Sequence, residues 1–329
     1  MKALFIVLLS LIISSEAFAQ ITVSQAAKRV EVNNEIIPYD STKNFLGNKN
    51  VKSYIGQTLY VNGISKGLRE YGYDHFKYKK EAGVCDGRWG QPAIKSGYHT
   101  KYEDLVGKYF VVLDVQADSR QKESYLYRDY WWFLLQNRDK PSEIMWFRYQ
   151  GDNWNEFPFI TVSYFNYIKT SLIGKRYILK YTLKDQVVST SINDIDFNTG
   201  KPINQSIDDV WECIDITIED EYFKLVAVVR NQNKEISTIP ISSLFTDSGK
   251  VFVFEEPEYN TLKNKYGAEI MDLVRQSIIK VGMPKHLLLL SWGTPNSINN
   301  SSYGPEQWVY GSTHCSYVYV ENDVITAWN

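Results

Sequence analysis

The chain has 329 residues, enough for two or three domains. Its 36 Lys and Arg stand against 38 Asp and Glu, a formal charge of −2 without the basic stripe that a nucleic-acid partner or an anionic membrane requires. Cys85, Cys213 and Cys315 lie in three separate segments, which excludes a small disulfide scaffold and leaves at least one thiol without a partner in its own chain.

Residues 1–19 read as a secretory signal: Lys2, an apolar run from Ala3 to Ile13, and Ala17-Phe18-Ala19 as the small-x-small cleavage site. That run is too short for a membrane span, and no later run reaches spanning length. The mature chain is therefore expected outside the cytoplasm, periplasmic or extracellular, with no membrane span. Residues 20–50 show no clear period and read as a lead-in.

A faint repeat follows. The segments beginning Ser53-Tyr-Ile-Gly, Asp104-Leu-Val-Gly and Ser171-Leu-Ile-Gly each place an apolar pair before a glycine and a β-rich run after it. Gly56, Gly107 and Gly174 then mark where the chain turns and enters the first strand of a small barrel or sheet. This predicts three small β units, 51–103, 104–168 and 169–256, of the Src-homology-3-like kind. In the second unit strands are expected at Tyr109 to Val115, Tyr125 to Leu135, Ile144 to Tyr149 and Phe157 to Tyr167. The third should hold strands at Tyr177 to Leu183, Val210 to Ile218, Tyr222 to Arg230, Glu235 to Ile241 and Val251 to Glu255.

Residues 257–329 change character. Glu256-Pro257 ends the last strand, Asn260 or Thr261 can cap a helix, and Ile270, Leu273 and Val274 recur at helical spacing. Pro284 suits a first helical position, Leu287, Leu288 and Leu290 supply an apolar face, and Gly293 with Pro295 stops the helix. From Gln307 the period becomes two, with Trp308 and Tyr310 sharing one side of a strand. Asn322-Asp323 tolerates the φ > 0 of a two-residue hairpin turn. The expected fold class is thus mainly β with a C-terminal α+β domain.

Val281-Gly-Met-Pro, Ser291-Trp-Gly-Thr-Pro, Glu306-Gln-Trp-Val-Tyr and the closing Tyr317-Val-Tyr-Val-Glu-Asn-Asp-Val-Ile-Thr resemble the BamE-like (SmpA/OmlA) domain of bacterial envelope proteins, in the version that ends many secreted Bacteroidetes proteins. The resemblance spans roughly Tyr259 to Asn329 and departs at Pro284, where the family prefers a hydroxyl residue. It implies a helix–helix–hairpin module that serves in envelope assembly or protein binding, with no catalytic residue.

Hydrolase, phosphate-loop and dinucleotide fingerprints are absent from the sequence, so no cofactor is expected. Cys85 with His75 or His99 could form a thiolate–imidazole pair, the basis of a thiol hydrolase reading. His314 and Cys315 are adjacent and would face opposite sides of a strand. Asp194/Asp196, Asp208/Asp209 and Glu219-Asp220-Glu221 read as turn charges, and their spacing is not that of a calcium loop.

The outlying feature is an aromatic content of 15%, concentrated from Tyr125 to Tyr167. A strand there cannot bury both Trp131 and Trp132 on one face. Either both faces are covered, as where neighbouring barrels touch, or an aromatic surface is offered to a protein or a sugar. Candidate binding residues are Trp131, Trp132, Trp146 and Trp154 in this segment, and Trp292, Trp308 and Tyr310 in the terminal unit, which serve equally well as its core. The first reading is a non-catalytic interaction protein of the cell envelope whose partner is an envelope protein. Its rival is a carbohydrate- or peptidoglycan-binding protein that uses the aromatic segment.

Overall fold

The computed structural model describes residues 37–77, 100–122, 126, 129–154, 157–184, 187–190, 192–245, 253–300, 304–311 and 316–329. The expectations for the signal, for Cys85, His99, His314 and Cys315, and for the loop around Arg88 lie outside these residues. The fold is mainly β, with several antiparallel sheets, one of them a half-barrel, and some helices.

The first sheet takes β1 (Thr58–Val61), β2 (Phe76–Lys77), β3 (Tyr109–Ala117), β4 (Tyr130–Asn137), β5 (Ile144–Gln150) and β6 (Phe159–Thr161) in the order β2-β5-β4-β3-β1-β6. Every pairing is antiparallel. A flat sheet of this size would hold its edges roughly 24 Å apart, five spacings of about 4.8 Å. Instead the rings of Phe76 on one edge strand and Phe159 on the other lie 5.5 Å apart. The sheet therefore curls on itself, with aromatic side chains filling the concavity. Tyr54, Phe110, Phe133, Phe147 and Tyr149 are all buried there, and a bulge between Val112 and Asp114 helps the curl. Truncating a ring such as Phe133 to alanine would cost about 3–5 kcal/mol.

The seam between β2 and β6 is covered. Asn44 donates from Nδ2 to the Phe159 carbonyl (2.7 Å) and accepts at Oδ1 from the Thr161 N–H (2.7 Å), so one side-chain amide takes the place of a neighbouring strand. The strands that open at Gly56 and Gly107 lie side by side in this one sheet, Thr58 opposite Val111, so segments 51–103 and 104–168 share a sheet and a core. Gly56, Gly107 and Gly174 do each stand just before a strand with positive φ (84°, 75° and 84°).

Phe157 to Tyr167, expected as a strand, splits in two. Only Phe159–Thr161 is extended; Val162–Leu172 is a helix, α1. A run of aromatic and β-branched residues suggested a strand, but tertiary packing decides. Ile168 and Leu172 point from α1 into the core of the second sheet, beside Trp211 and Ile239.

That second sheet has the order β12-β11-β10-β7-β13, built from β7 (Arg176–Leu179), β10 (Trp211–Ile218), β11 (Leu225–Arg230), β12 (Ile236–Pro240) and β13 (Val253–Glu255). The expected Tyr177 to Leu183 strand breaks at Lys180, and its second half, β8 (Tyr181–Lys184), pairs only with β9 (Val187–Thr190) as a separate hairpin.

Helix α2 (Glu256–Tyr266) begins earlier than expected, at Glu256, with Pro257 in its first turn. Asn260 and Thr261 therefore lie within it, and neither caps it. Helix α3 (Ala268–Arg275) follows directly. Pro284 (φ −59°, ψ 141°) precedes α4 (Lys285–Trp292), and Gly293 (φ 87°) closes it. Four strands complete the tail as a meander: β14 (Ser297–Asn299), which the sequence did not suggest, β15 (Glu306–Tyr310), β16 (Ser316–Glu321) and β17 (Val324–Trp328). Asn322 and Asp323 turn β16 into β17 with φ of 51° and 64°. The core beneath α2–α4 includes Ile178 and Phe254 of the second sheet. Buried Arg275 adds to this junction, donating to the Leu179 and Ile207 carbonyls at 3.0 and 2.8 Å.

Candidate functional site

The tryptophans singled out in the aromatic segment do not share one surface. Trp131 faces inward, half-buried against the half-barrel core, and its indole N–H donates to Asn48 Oδ1. Trp132 and Trp146 are diagonal neighbours on the outer face, since Trp132 opposes Arg148 and Leu134 opposes Trp146. Trp132 is buried nonetheless: its Nε1 donates to Asp118 Oδ2 (3.0 Å), and Arg120 clasps that carboxylate with Nε and Nη2 at 2.9 and 2.8 Å. Burial alone would raise the Asp118 pKa, but the hydrogen bonds from Arg120 and Trp132 together hold it below the usual carboxylate value. Arg148 lies over the Tyr130 ring (4.8 Å) and donates to His75 Nδ1 (3.0 Å). Trp154 is 67% exposed in the turn after β5.

In the tail, Trp308 is core. Trp292 donates to the Ser277 carbonyl (2.8 Å) and Tyr310 to the Gly293 carbonyl (3.0 Å), with the two rings edge-on at 5.3 Å. Cys213 is fully buried, and burial with the Asp215 charge pushes its thiol up to about 11, so it is no nucleophile at neutral pH. The acidic pairs serve turns: Asp196 accepts from the Asn198, Thr199 and Ile236 N–H groups, and Glu219 from those of Glu221 and Tyr222. Among the described residues no group of acidic, His and Cys side chains could hold a metal.

What the structure assembles instead is a cleft of about 570 Å³ where the half-barrel meets the second sheet. One wall is Tyr60 of β1 and Tyr109 of β3, directly opposite in register and with rings 5.2 Å apart. Ile160, in the middle of β6, and Val162, Phe165 and Asn166 of α1 form the floor. The far wall is Ile216, Thr217 and Ile218, the last stretch of β10. At the rim the Arg138 guanidinium stacks on Tyr109, 3.9 Å from the ring centroid, while its Nε donates to Asp139 (3.0 Å). The volume lies within the range of ligand sites, and apolar surface with a few polar groups is their usual lining. Desolvation, followed by the neighbouring Tyr109 and Tyr102, raises the Tyr60 pKa above its ordinary value.

The walls are tied to each other. The turn after β10 carries Phe223, whose carbonyl accepts from Asn62 Nδ2 (2.6 Å) and whose ring lies under the Arg69 guanidinium (5.4 Å). Arg69 also covers Tyr102, which stacks on Tyr73. On the α1 side, Lys169 bridges to Asp215 of β10 (2.8 Å). The cleft is thus preformed, with both ends of the β10 wall anchored.

Sequence reasoning missed these residues. They come from β1, β3, the turn after β4, β6, α1 and β10, and no local pattern joins them. No family model, curated protein or solved structure matches this chain.

Proposed function

We propose that this chain is an exported, non-catalytic interaction protein of the bacterial cell envelope, and that its partner is taken up in the cleft between the half-barrel and the second sheet. The observation that carries the reading is the preformed cleft itself. Its lining is aromatic and aliphatic, with Arg138, Asn166 and Thr217 as polar groups, and it contains neither a nucleophile–base pair nor two carboxylates that could divide acid and base roles. Such a site binds and orients.

The finer fold assignments belong to the same proposal. The curled sheet supports a relationship to small Src-homology-3-like barrels. A BamE-like identity for residues 257–329 is supported by helices followed by an antiparallel meander, although there are three helices and four strands where the resemblance implies two helices and a hairpin, by the turn Gly282-Met283-Pro284 leading into α4, and by Trp308 and Tyr310 on β15. The glycan reading has Trp154 as its exposed indole, but Trp131 and Trp132 are committed to protein partners.

Asn166→Trp tests the reading, because Asn166 is an exposed residue of α1 that lines the cleft and a large side chain there fills it. Wild type used as bait on bacterial envelope extract is expected to retain partners that the variant loses. Identical recovery by both would remove the cleft from the account.

A further inference from the structure

We propose that the cleft takes an extended peptide, which adds as a strand to the free edge of β10 at Ile216–Ile218; this rests on the reading of the cleft as the binding site. Strand β10 pairs with β11 along its length but with β7 only through Trp211 and Glu212, and the last ties on that side join Cys213 to Lys175 and Gly174. Among the described residues, no strand neighbours the second edge of β10 from Asp215 onward.

The hydrogen-bond parity fixes which groups are exposed there. The Glu219 N–H donates to the Lys224 carbonyl (3.0 Å), so the pairs that exchange ladder bonds with β11 are Thr217 with Val226 and Asp215 with Val228. Ile216 and Ile218 therefore turn their N–H and C=O groups to the other side. The Ile216 N–H is occupied by Asp215 Oδ1 (2.8 Å). The Ile216 carbonyl and the N–H and carbonyl of Ile218 find no partner among the described residues. All three residues line the cleft.

An acceptor, then a donor and an acceptor two residues on, is the pattern that one extended backbone satisfies, at a repeat of about 6.8 Å. A sugar could meet one of these groups but not the set in register. A second copy of this chain is unsuitable, because its own free edge is recessed in the same cleft and cannot reach this one. Tyr60, Tyr109 and Phe165 line the same cleft as the β10 edge and would receive an apolar or aromatic side chain from the incoming peptide. At the open edge of β6, Asn44 supplies a cover. At β10 the Lys169–Asp215 pair stops short of Ile218.

Ile218→Pro separates strand addition from other occupancy. It removes the outward N–H and sets a ring in the path of an added strand, and it spares the Thr217–Val226 bonds of the ladder, because proline is tolerated at an edge position whose N–H faces away from the sheet. The probe is an array of immobilised heptapeptides varied at the central residue, presented to the full chain as wild type, Ile218→Pro and Asn166→Trp, beside chitooligosaccharides and muropeptides. Wild type is expected to select peptides with an apolar or aromatic centre, and Ile218→Pro to bind them at least about tenfold more weakly. With the selected peptide at saturation, hydrogen exchange on wild type should slow at the Ile218 amide, a readout that does not depend on how the proline variant folds. Undiminished binding by Ile218→Pro, no protection at Ile218, no peptide selected, or glycans retained in place of peptides would each overturn the proposal. If Ile218→Pro still binds while Asn166→Trp does not, strand addition falls and the cleft reading stands; if both bind as wild type does, the cleft reading falls as well.

Discussion

Gly63 is the position where one methyl group tests the coupling between the half-barrel and the second sheet. A Cβ built on Gly63 would lie 2.2 Å from Cδ1 and Cε1 of Phe223 and 2.6 Å from Cζ, so Gly63→Ala evicts the ring and does not merely crowd it. Eviction removes the Arg69 contact, about 0.5–1 kcal/mol at a half-exposed site. It also strains the Asn62-to-Phe223 hydrogen bond, worth about 0.5–1.5 kcal/mol. Phe223 adopts φ 55°, a conformation that costs a residue with a Cβ about 1–2 kcal/mol and that the ring contacts help to hold. Against these losses alanine restricts the unfolded chain, a gain of about 0.4–1 kcal/mol. The expected net is a loss of about 1 kcal/mol, read as a lower urea midpoint with an unchanged slope. A double-mutant cycle isolates the cause: in a Phe223→Ala background the penalty should vanish and Gly63→Ala become neutral or slightly stabilising. Equal stability of Gly63→Ala and wild type, or the same penalty in both backgrounds, would refute the reasoning.

Two other sites yield predictions of larger size. Asp118→Ala removes the buried carboxylate that accepts from the Arg120 guanidinium and the Trp132 N–H and should cost about 2–4 kcal/mol in chemical denaturation. Because the Asp118 pKa is lowered in the folded chain, its stabilisation is complete above the unfolded value near pH 3.9 and fades as pH falls through the lower folded value. Wild type should therefore lose more stability than Asp118→Ala on acidification below about pH 4, as followed by tryptophan fluorescence. Arg275→Met keeps the unbranched apolar stem of the side chain but leaves the Leu179 and Ile207 carbonyls without their donor, for a loss of about 2–4 kcal/mol and faster hydrogen exchange along β7 and α3.

How much of this was legible depended on whether one segment could disclose it. Hairpins and helix stops are local chemistry. Asn322-Asp323 takes the turn that its side chains tolerate, and Gly293 closes α4 with a φ of 87°. Strands β3, β5, β10 and β12 stand close to where alternation placed them. Where the reading stumbled, a tertiary neighbour had overruled the local preference. Val162 to Tyr167 has the composition of a strand, yet it is helical because Ile168 and Leu172 need a helical spacing to reach the core around Trp211. Pro257 signalled only an end, whereas the first turn of a helix also accepts it.

The glycine repeat conceals the most instructive case. Read as a repeat, it aligns β1 with β3 as equivalent starts of separate units; in the folded chain they are antiparallel partners in one sheet. Antiparallel pairing reverses the count, so a residue four places after Gly56 meets one two places after Gly107, and these are Tyr60 and Tyr109. The aromatic wall of the cleft is thus a consequence of strand direction, which composition and spacing do not encode. The tryptophans made the aromatic segment conspicuous, but bulk drew Trp132 onto an internal partner, Asp118, and half-buried Trp131 against the core. Two tyrosines of ordinary appearance were left at the mouth of a cleft whose opposite wall is a strand with unsatisfied backbone. Side chains that stand out in a sequence are often those the fold needs for itself, and a binding surface can be assembled from the backbone that it leaves unpaired.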